Sequence, residues 1–250
     1  MATLCILTGA SRGLGNALAR GLLARGVELL CLSRGRDEGL QQAAASAGIA
    51  LQQWQVDLVV AAPVAARLSD HLGARGPSGL RQLLLINNAA MLERPGAFET
   101  QAAEDVQAAL RVGLEAPLLL SAAVLQVSRD WPVERRILNI SSGLGRRPLA
   151  GVSTYCAIKA GLDHFSRSLA EEQVGASNPA RVCALAPGII DTGMQVQLRG
   201  ADSARFAAQQ VFAGFHSSGA LDSPERAAAK VLDCLFAADF GDPPVADVRD

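Results

Sequence analysis

Three side chains with complementary chemistry lie close together in the sequence. Tyr155 and Lys159 are four residues apart, and Ser142 precedes the tyrosine by thirteen positions. On a helix, residues four apart share a face, so the ammonium of Lys159 would stand beside the phenol and lower its pKa. A phenol with an ordinary pKa of about 10 could then donate a proton to a carbonyl oxygen near neutral pH. Ser142 would supply a second hydrogen bond to that oxygen.

A glycine-rich loop near the start of the chain lies between a predicted strand, residues 4–7, and a predicted helix. The loop contains Gly9, Gly13 and Gly15. Glycines permit positive φ angles and close backbone approach, and the free amides at a helix start attract phosphate. We therefore expect this loop to bind the pyrophosphate of a nucleotide. The alternative is a plain tight turn.

Together these motifs resemble the short-chain dehydrogenase/reductase family along nearly the whole chain. Residues 8–15 are similar to the family's T-G-x-x-x-G-x-G loop, and residues 87–90 to its N-N-A-G motif. Ser142, Tyr155 and Lys159 match the family's catalytic residues, and residues 187–188 match its P-G pair after the sixth strand. Tyrosine and lysine at this spacing also occur by chance on helices, but five motifs in the right order are very specific.

The resemblance implies one Rossmann-type domain over residues 1–250, and the sequence pattern agrees. Strand and helix patterns alternate throughout, which predicts an α/β fold with a doubly wound parallel sheet of about seven strands and helices on both faces. The predicted strands cover residues 4–7, 28–32, 51–57, 83–86, 137–140, 181–186 and 245–248. The predicted helices include residues 38–47, 65–72, 115–129 and 153–172.

The resemblance also implies a nicotinamide cofactor, and the residues after the second strand favour NADP(H). An enzyme that prefers NAD usually places a carboxylate there. Here Ser33 is followed by Arg34, Gly35 and Arg36. Arg34 and Arg12 could form charge-assisted hydrogen bonds to the 2′-phosphate of NADP, or else the arginines only solvate a loop.

The family's cofactor-binding positions carry over residue by residue. Asp57 matches the position that meets the adenine amino group, with a strand-end cap as the alternative, and Thr192 would bind the carboxamide. The predicted cofactor-binding residues are Gly9, Ser11, Arg12, Gly13, Leu14, Gly15, Ser33, Arg34, Asp57, Leu58, Asn88, Ala89, Tyr155, Lys159, Pro187, Gly188, Ile190 and Thr192.

Several segments resemble the sepiapterin reductase branch of the family and its bacterial relatives that reduce aromatic diketones such as benzil. Residues 191–195 are similar to that branch's D-T-x-M-Q. Asp222 falls where sepiapterin reductases place an aspartate that binds the guanidine-like edge of the pterin, although it could instead only stabilise the start of the next helix. Residues 195–216, rich in phenylalanine, are expected to form a lid. The predicted substrate-binding residues are Ser142, Tyr155, Met194 and Asp222.

The predicted function is NADPH-dependent reduction of a small, flat or aromatic ketone or diketone. Hydride would pass to the carbonyl carbon while Tyr155 protonates the oxygen, Ser142 orients it and Lys159 holds the ribose. A reductase of another small ketone, or a weakly catalytic NADPH-sensing binding protein, remains an alternative. Gly113 argues weakly for the sensor, because many relatives carry a proton-relaying asparagine at that place.

Charge and composition argue against several other partners. The net charge is −1 and the basic residues are scattered, so no footprint for nucleic acid or an anionic membrane is present. No leader pattern opens the chain, and no apolar run approaches the ~20 residues that span a bilayer. Five cysteines without paired spacing predict buried thiols in a reducing cytoplasm, and three isolated histidines predict no metal site.

The two longest predicted helices carry more apolar residues than one sheet face requires. In the family these helices pair across a two-fold axis, so the resemblance implies a homodimer, or a tetramer built from it. The alternative is that the apolar side chains are all buried within one chain.

Overall fold

The computed structural model describes residues 1–249, and a parallel sheet dominates it. The strands are β1 Ala2–Thr8, β2 Glu28–Ser33, β3 Leu51–Gln55, β4 Leu80–Asn87, β5 Glu134–Ile140, β6 Ala180–Ala186 and β7 Val245–Asp247. The helices are α1 Gly13–Ala24, α2 Glu38–Ala47, α3 Ala61–Arg75, α4 Ala103–Leu110, α5 Ala116–Val127, α6 Ser153–Gln173, α7 Gly193–Arg199, α8 Gln209–Ser217 and α9 Pro224–Phe236. A π-helical turn, Arg111–Glu115, joins α4 to α5.

The strand order is β3-β2-β1-β4-β5-β6-β7, and every neighbouring pair is parallel. The chain therefore winds outward from β1 in one direction and then, from β4, in the other. The loops that follow β1 and β4 meet at the carboxyl edge of the sheet, which is the point where ligands bind in such folds. The predicted doubly wound parallel sheet is confirmed.

Helices cover both faces of the sheet. Helices α1, α2 and α9 pack on one face, and α3, α5 and α6 pack on the other. Within β4, Leu84 and Ile86 contribute to the first core, whereas Leu83 and Leu85 contribute to the second. Successive side chains of a strand point to opposite faces, so a strand covered on both faces must be apolar throughout.

Strand β5 begins earlier than the sequence predicts. The prediction placed its start at residue 137, where the apolar run begins, and two arginines precede that position. The structure buries both, and the guanidinium of Arg136 donates to the carbonyl oxygens of Leu235 and Ala237 at 2.5 and 2.8 Å and pairs with Glu134. A charged side chain can occupy a buried strand when its donors are satisfied in this way.

The helical stretch Ala103–Val127 is longer than predicted. By length and composition it could cross a membrane, which corrects the prediction that no apolar run approaches that length. Half of its most apolar window is buried inside the fold, and α5 packs against α3. A helix in the core of a folded protein passes the same test of length and composition, so this helix is only weak evidence for a membrane span.

Candidate active site

The glycine loop forms a tight turn between β1 and α1. Gly9 and Gly13 have φ angles of 73° and 55°. A Cβ atom at Gly15 would lie 2.0 Å from the carbonyl oxygen of Gly9, so only glycine fits there. Helix α1 has no side-chain cap and no acidic residue in its first turn. Its first backbone amides therefore face the loop without an internal partner, as an anion site requires.

Side chains after β4 hold this loop in place. Asn88 Nδ2 donates to the carbonyl oxygens of Thr8 and Gly9 at 2.9 and 3.3 Å. The backbone amides of Asn88 and Ala89 both donate to Thr8 Oγ1 at 2.9 Å. The structure thus brings the two predicted cofactor-binding residues of this motif directly against the glycine loop.

The end of β2 lies beside the same loop. Ser33 Oγ accepts a hydrogen bond from the Ala10 amide at 2.8 Å. Arg12 and Arg34 are exposed, and neither forms an ion pair with any residue from 1 to 249. Two cationic side chains thus flank the position where the adenosine ribose of a dinucleotide would lie in this fold.

Asp37, the first carboxylate after β2, is already engaged. It accepts from the Leu40 amide at 2.9 Å, which caps α2, and from Asn16 Nδ2 at 2.5 Å. The hydrogen bond from Leu40 and that from Asn16, together with the charge of Arg20, lower the pKa of Asp37, although desolvation opposes them. These contacts point the carboxylate toward α1 and α2.

Other predicted cofactor-binding residues line the same edge of the sheet. Asp57 follows β3 and accepts from the Val59 amide at 3.0 Å, so the strand-end cap that was its alternative role is present. Thr192 lies across from the loop, with its methyl carbon 3.5 Å from where a Cβ atom of Gly13 would stand. Pro187 and Gly188 follow β6, and Gly188 has a φ of 83°.

The three candidate catalytic side chains converge at the carboxyl end of β5. Ser142 lies two residues beyond the end of that strand, whereas Tyr155 and Lys159 lie in the first turns of α6. The Ser142 side chain lies beside the Tyr155 phenol and lowers its pKa. Lys159 Nζ donates to the carbonyl oxygen of Ile140 at 2.6 Å and lies 5.5 Å from the centre of the tyrosine ring.

The expectation that Lys159 lowers the pKa of Tyr155 is wrong for this structure. Burial raises the pKa of Tyr155 to about 12, against an opposing effect of the Ser142 hydrogen bond. Burial also lowers the pKa of Lys159 to about 8, while the charge of Asp163 acts the other way. The lysine is turned toward a backbone carbonyl and is itself desolvated, so it does little to favour the phenolate.

Two buried carboxylates near this site were not predicted. Asp163 accepts a short hydrogen bond from Ser141 and pairs with Arg146 at 3.2 Å. Its spacing of four residues from Lys159 repeats the spacing of Tyr155 and Lys159, and this signal could have identified it. Glu93 accepts hydrogen bonds from the first turn of α6. No local spacing reveals that contact, because the partners lie about sixty positions away.

The predicted lid covers Tyr155. Helices α7 and α8 and the segment between them contribute Leu198, Phe206 and Phe212 to an apolar cluster that also contains Tyr155. Phe206 is 1% exposed. Met194 is partly buried against the same cluster. The aromatic residues of the lid therefore lie over the candidate catalytic tyrosine rather than on the outer surface.

Asp222 is engaged by the last helix. Its carboxylate accepts from Lys230 at 2.6 Å and lies 3.4 Å from Arg226, both on α9. The hydrogen bond from Lys230 holds the pKa of Asp222 below its usual value, although desolvation opposes it. The backbone of Asp222 bridges to Ile190. These contacts favour the helix-stabilising role that the sequence left open, although the cap itself is Ser223.

Gly113 lies where α6 crosses the π-helical turn. A Cβ atom at this position would stand 2.7 Å from Cγ2 of Ile158, the residue before Lys159. Any side chain at position 113 would therefore have to displace Ile158.

The cysteines and the other possible metal ligands are dispersed. All five cysteines are free thiols. Burial raises the pKa of Cys31 and that of Cys183 to about 12. Among residues 1–249, no group of three or more His, Cys, Asp or Glu side chains is arranged to hold a metal ion.

Comparison with known proteins agrees with this geometry. The model of the short chain dehydrogenase family matches residues 3–203. Benzil reductase ((S)-benzoin forming) of Bacillus cereus is 29% identical over 235 residues, which cover 94% of each chain. Sepiapterin reductase of Mus musculus is 34% identical over 92% of this chain and 90% of the mouse protein.

A solved structure agrees as well. The crystal structure of a metagenomic short-chain oxidoreductase in complex with NADP has a TM-score of 0.73 and 26% identity, covering 98% of this chain and 94% of that one. The chain belongs to the short-chain dehydrogenase/reductase family of oxidoreductases, which bind a nicotinamide cofactor and act on carbonyl or alcohol groups.

Proposed function

We propose that this protein is an NADPH-dependent reductase of small, flat or aromatic ketones and diketones. The observation that carries the proposal is the meeting of Ser142, Tyr155 and Lys159 at the sheet edge onto which the glycine loop opens, with Ser142 beside the phenol and Lys159 Nζ 5.5 Å from the tyrosine ring. This arrangement supplies a proton donor and an orienting hydroxyl beside a dinucleotide cradle.

The residues of the cradle fit a nicotinamide dinucleotide. The uncapped start of α1 offers backbone amides to the pyrophosphate, and the glycine at position 15 lets the loop close tightly against Gly9. Bound NADPH supplies the hydride. Tyr155 gives its proton to the carbonyl oxygen, Ser142 donates a hydrogen bond that orients the same oxygen, and Lys159 holds the ribose. The raised pKa of Tyr155 keeps the phenol protonated at neutral pH, which is the form that reduction requires.

Preference for NADPH over NADH is part of the proposal. It is supported by the exposed Arg12 and Arg34 beside the end of β2 and by the engagement of Asp37 with α1 and α2. A guanidinium favours a 2′-phosphate, whereas a free carboxylate at this place would favour ribose hydroxyls.

For the substrate, an aromatic diketone is favoured over a pterin. The similarity to a benzil reductase supports this class, and so does the aromatic lid over Tyr155. The carboxylate of Asp222 is paired with Lys230 and Arg226, so binding a pterin edge would require breaking that network. Met194 is proposed to contact the substrate from the lid.

We further propose that the protein is a cytoplasmic homodimer. Many apolar residues of α5 and α6 are buried within the chain, which was the alternative explanation for their number. Leu118 remains half-buried, and Ala122, Ala157 and Ala160 are exposed. These residues are proposed as the surface that the partner chain covers.

The test is oxidation of NADPH in the presence of benzil, sepiapterin or a plain aliphatic ketone. We expect turnover with benzil above the other two, and Tyr155→Phe should lower kcat by roughly 1,000-fold while NADPH still binds, because the proton donor is lost. Turnover with the aliphatic ketone alone would favour a different reductase. Tight NADPH binding without turnover on any carbonyl would favour the cofactor-sensing alternative.

A further inference from the structure

Helix α6 is capped by a residue from a distant part of the chain. Its preceding residue, Val152, provides no side-chain hydrogen bond to the helix. Glu93 supplies the cap instead, since its Oε1 accepts from the backbone amides of Thr154 and Tyr155 at 3.1 and 3.3 Å. The amides of a helix's first turn otherwise lack partners. A carboxylate that follows β4 thus holds the turn that carries Tyr155.

Glu93 is itself fixed on two sides. Its side chain is buried, at 5% exposed. Gln197 of α7 donates to the carbonyl oxygens of Glu93 and Leu92 at 3.1 and 3.2 Å. The amide of Gly96 donates to the carbonyl oxygen of Gly151 at 2.9 Å. The segment around Glu93 is therefore bound both to the lid helix and to the turn before α6.

The hydrogen bonds to the Glu93 carboxylate involve only its Oε1 atom. Its Oε2 atom is buried and has no hydrogen-bond partner among residues 1–249. The positive end of the α6 dipole favours a carboxylate here. Burial is the main cause of the raised pKa of the Tyr155 phenol; Ser142 lowers that pKa, and the nearby Cys156 and Glu93 raise it by smaller amounts. The ammonium of Lys159 is directed to Ile140.

We propose that Glu93 is a positioning residue for Tyr155: its carboxylate fixes the first turn of α6, so that the phenol stays buried beside Ser142. This inference rests on the proposed reductase function and deepens it.

The experiment compares Glu93→Gln, which keeps an acceptor oxygen but removes the charge, with Glu93→Ala, which removes both. Tyr155 is the chain's sole tyrosine, so the near-ultraviolet absorbance of tyrosinate reports its ionisation directly. We expect the tyrosinate titration to begin at lower pH in Glu93→Ala than in the parent, because a loosened first turn exposes the phenol to water, whereas Glu93→Gln should stay closer to the parent. Both titrations are compared over the range in which circular dichroism shows the chain folded. For benzil, kcat should fall by roughly 10- to 100-fold in Glu93→Ala and by less in Glu93→Gln, with KM for NADPH unchanged.

The matched control is Ser223→Ala, which removes the side-chain cap of α9, a helix that carries none of the three candidate catalytic residues. It should lower thermal stability without lowering kcat. The proposal is overturned if Glu93→Ala leaves the tyrosinate titration unmoved, or if it lowers kcat no more than the control does. Should the parent protein reduce no ketone, the proposed function fails, whereas the titration of Glu93→Ala still decides whether Glu93 positions Tyr155.

Discussion

At the scale of single residues, burial decides the chemistry of the site. Lys159 is 3% exposed, and its desolvation lowers its pKa to about 8. Tyr155 is 8% exposed, and its pKa is raised to about 12. Both shifts favour the uncharged form of the side chain. In the free chain, burial therefore keeps the Tyr155 phenol protonated. The spacing in the sequence predicted that the two residues lie on one helix, but it could not predict how deeply the fold buries them.

The lysine therefore makes stability depend on pH. Between the folded pKa of about 8 and the ordinary value of 10.5, the unfolded chain holds the proton at Lys159 that the folded chain has lost. Unfolding free energy due to this group consequently rises with pH across that window. We expect the parent to gain about 3 kcal/mol over Lys159→Met in this interval, measured by denaturant unfolding. A difference between the two proteins that does not change with pH would contradict the shift.

Cofactor preference also depends on single side chains. Arg34→Ala should raise the Kd for NADPH by roughly 10- to 100-fold, because a charge-assisted hydrogen bond to the 2′-phosphate is lost, and should leave the Kd for NADH unchanged. Fluorescence titration with each cofactor measures both constants. Arg36→Ala is the matched control, since it removes an exposed arginine of the same loop that is outside the predicted site. Equal weakening of both cofactors by Arg34→Ala would refute the preference.

At the scale of elements, the site depends on the close crossing of α6 with the π-helical turn Arg111–Glu115. Gly113 and Gly161 are the small residues at this crossing, where added Cβ atoms would meet Ile158 and Leu114. The turn also brings the backbone near the helix that carries Tyr155 and Lys159. Irregular helical turns of this kind are frequent at functional sites.

Restoring the asparagine of the relatives should harm rather than help. In a regular exposed helix, Gly113→Asn would raise helix propensity, but here the side chain would overlap Ile158. We expect Gly113→Asn to lower the unfolding free energy by about 1–3 kcal/mol, measured in urea, without faster turnover. The same substitution should cost less unfolding free energy when it is made in an Ile158→Ala background, because the side chain that it would overlap is then absent. A stable single variant with faster turnover would contradict this account.

The elements differ in how far the sequence could predict them. The continuous apolar residues of β4 predicted a strand with helices on both faces, because a strand with one face in water would alternate apolar and polar residues. The start of β5 could not be predicted, because Arg136 is buried against carbonyl oxygens from a segment about a hundred residues away. Glu93 escaped notice for the same reason, since its role exists only once the segment after β4 lies against α6. Local patterns give strands and motif loops, whereas long-range polar contacts require the fold.

At the scale of the whole molecule, the switch point at the centre of the sheet gathers every part of the candidate site. Loops after β1 and β4 are joined by Thr8 and Asn88, and β5 lies next to β4 with Ser142 at its end. The site is thus built on the most buried strands, while the lid that packs on Tyr155 comes from the segment after β6.

The outer face of α6 tests the proposed assembly. Ala160→Arg places a charge at an exposed position of this helix and should shift the dimer to monomer in sedimentation velocity, because a buried unpaired charge is costly. Ala45→Arg on α2, which lies on the opposite face of the sheet, is the control and should leave the mass unchanged. An unaltered mass for Ala160→Arg would place the interface elsewhere.

The position of Phe206 carries a consequence for selectivity. This ring already shares an apolar cluster with the phenol of Tyr155 and is almost completely hidden from water. A molecule that reached the phenol from the lid side would therefore meet a hydrocarbon surface rather than solvent. A planar hydrocarbon-rich ligand can replace those lost contacts in kind, whereas a strongly hydrated one would surrender its own water shell for little return. Selectivity among carbonyl compounds would then depend on how well the ligand's ring replaces the contacts that the Phe206 ring makes.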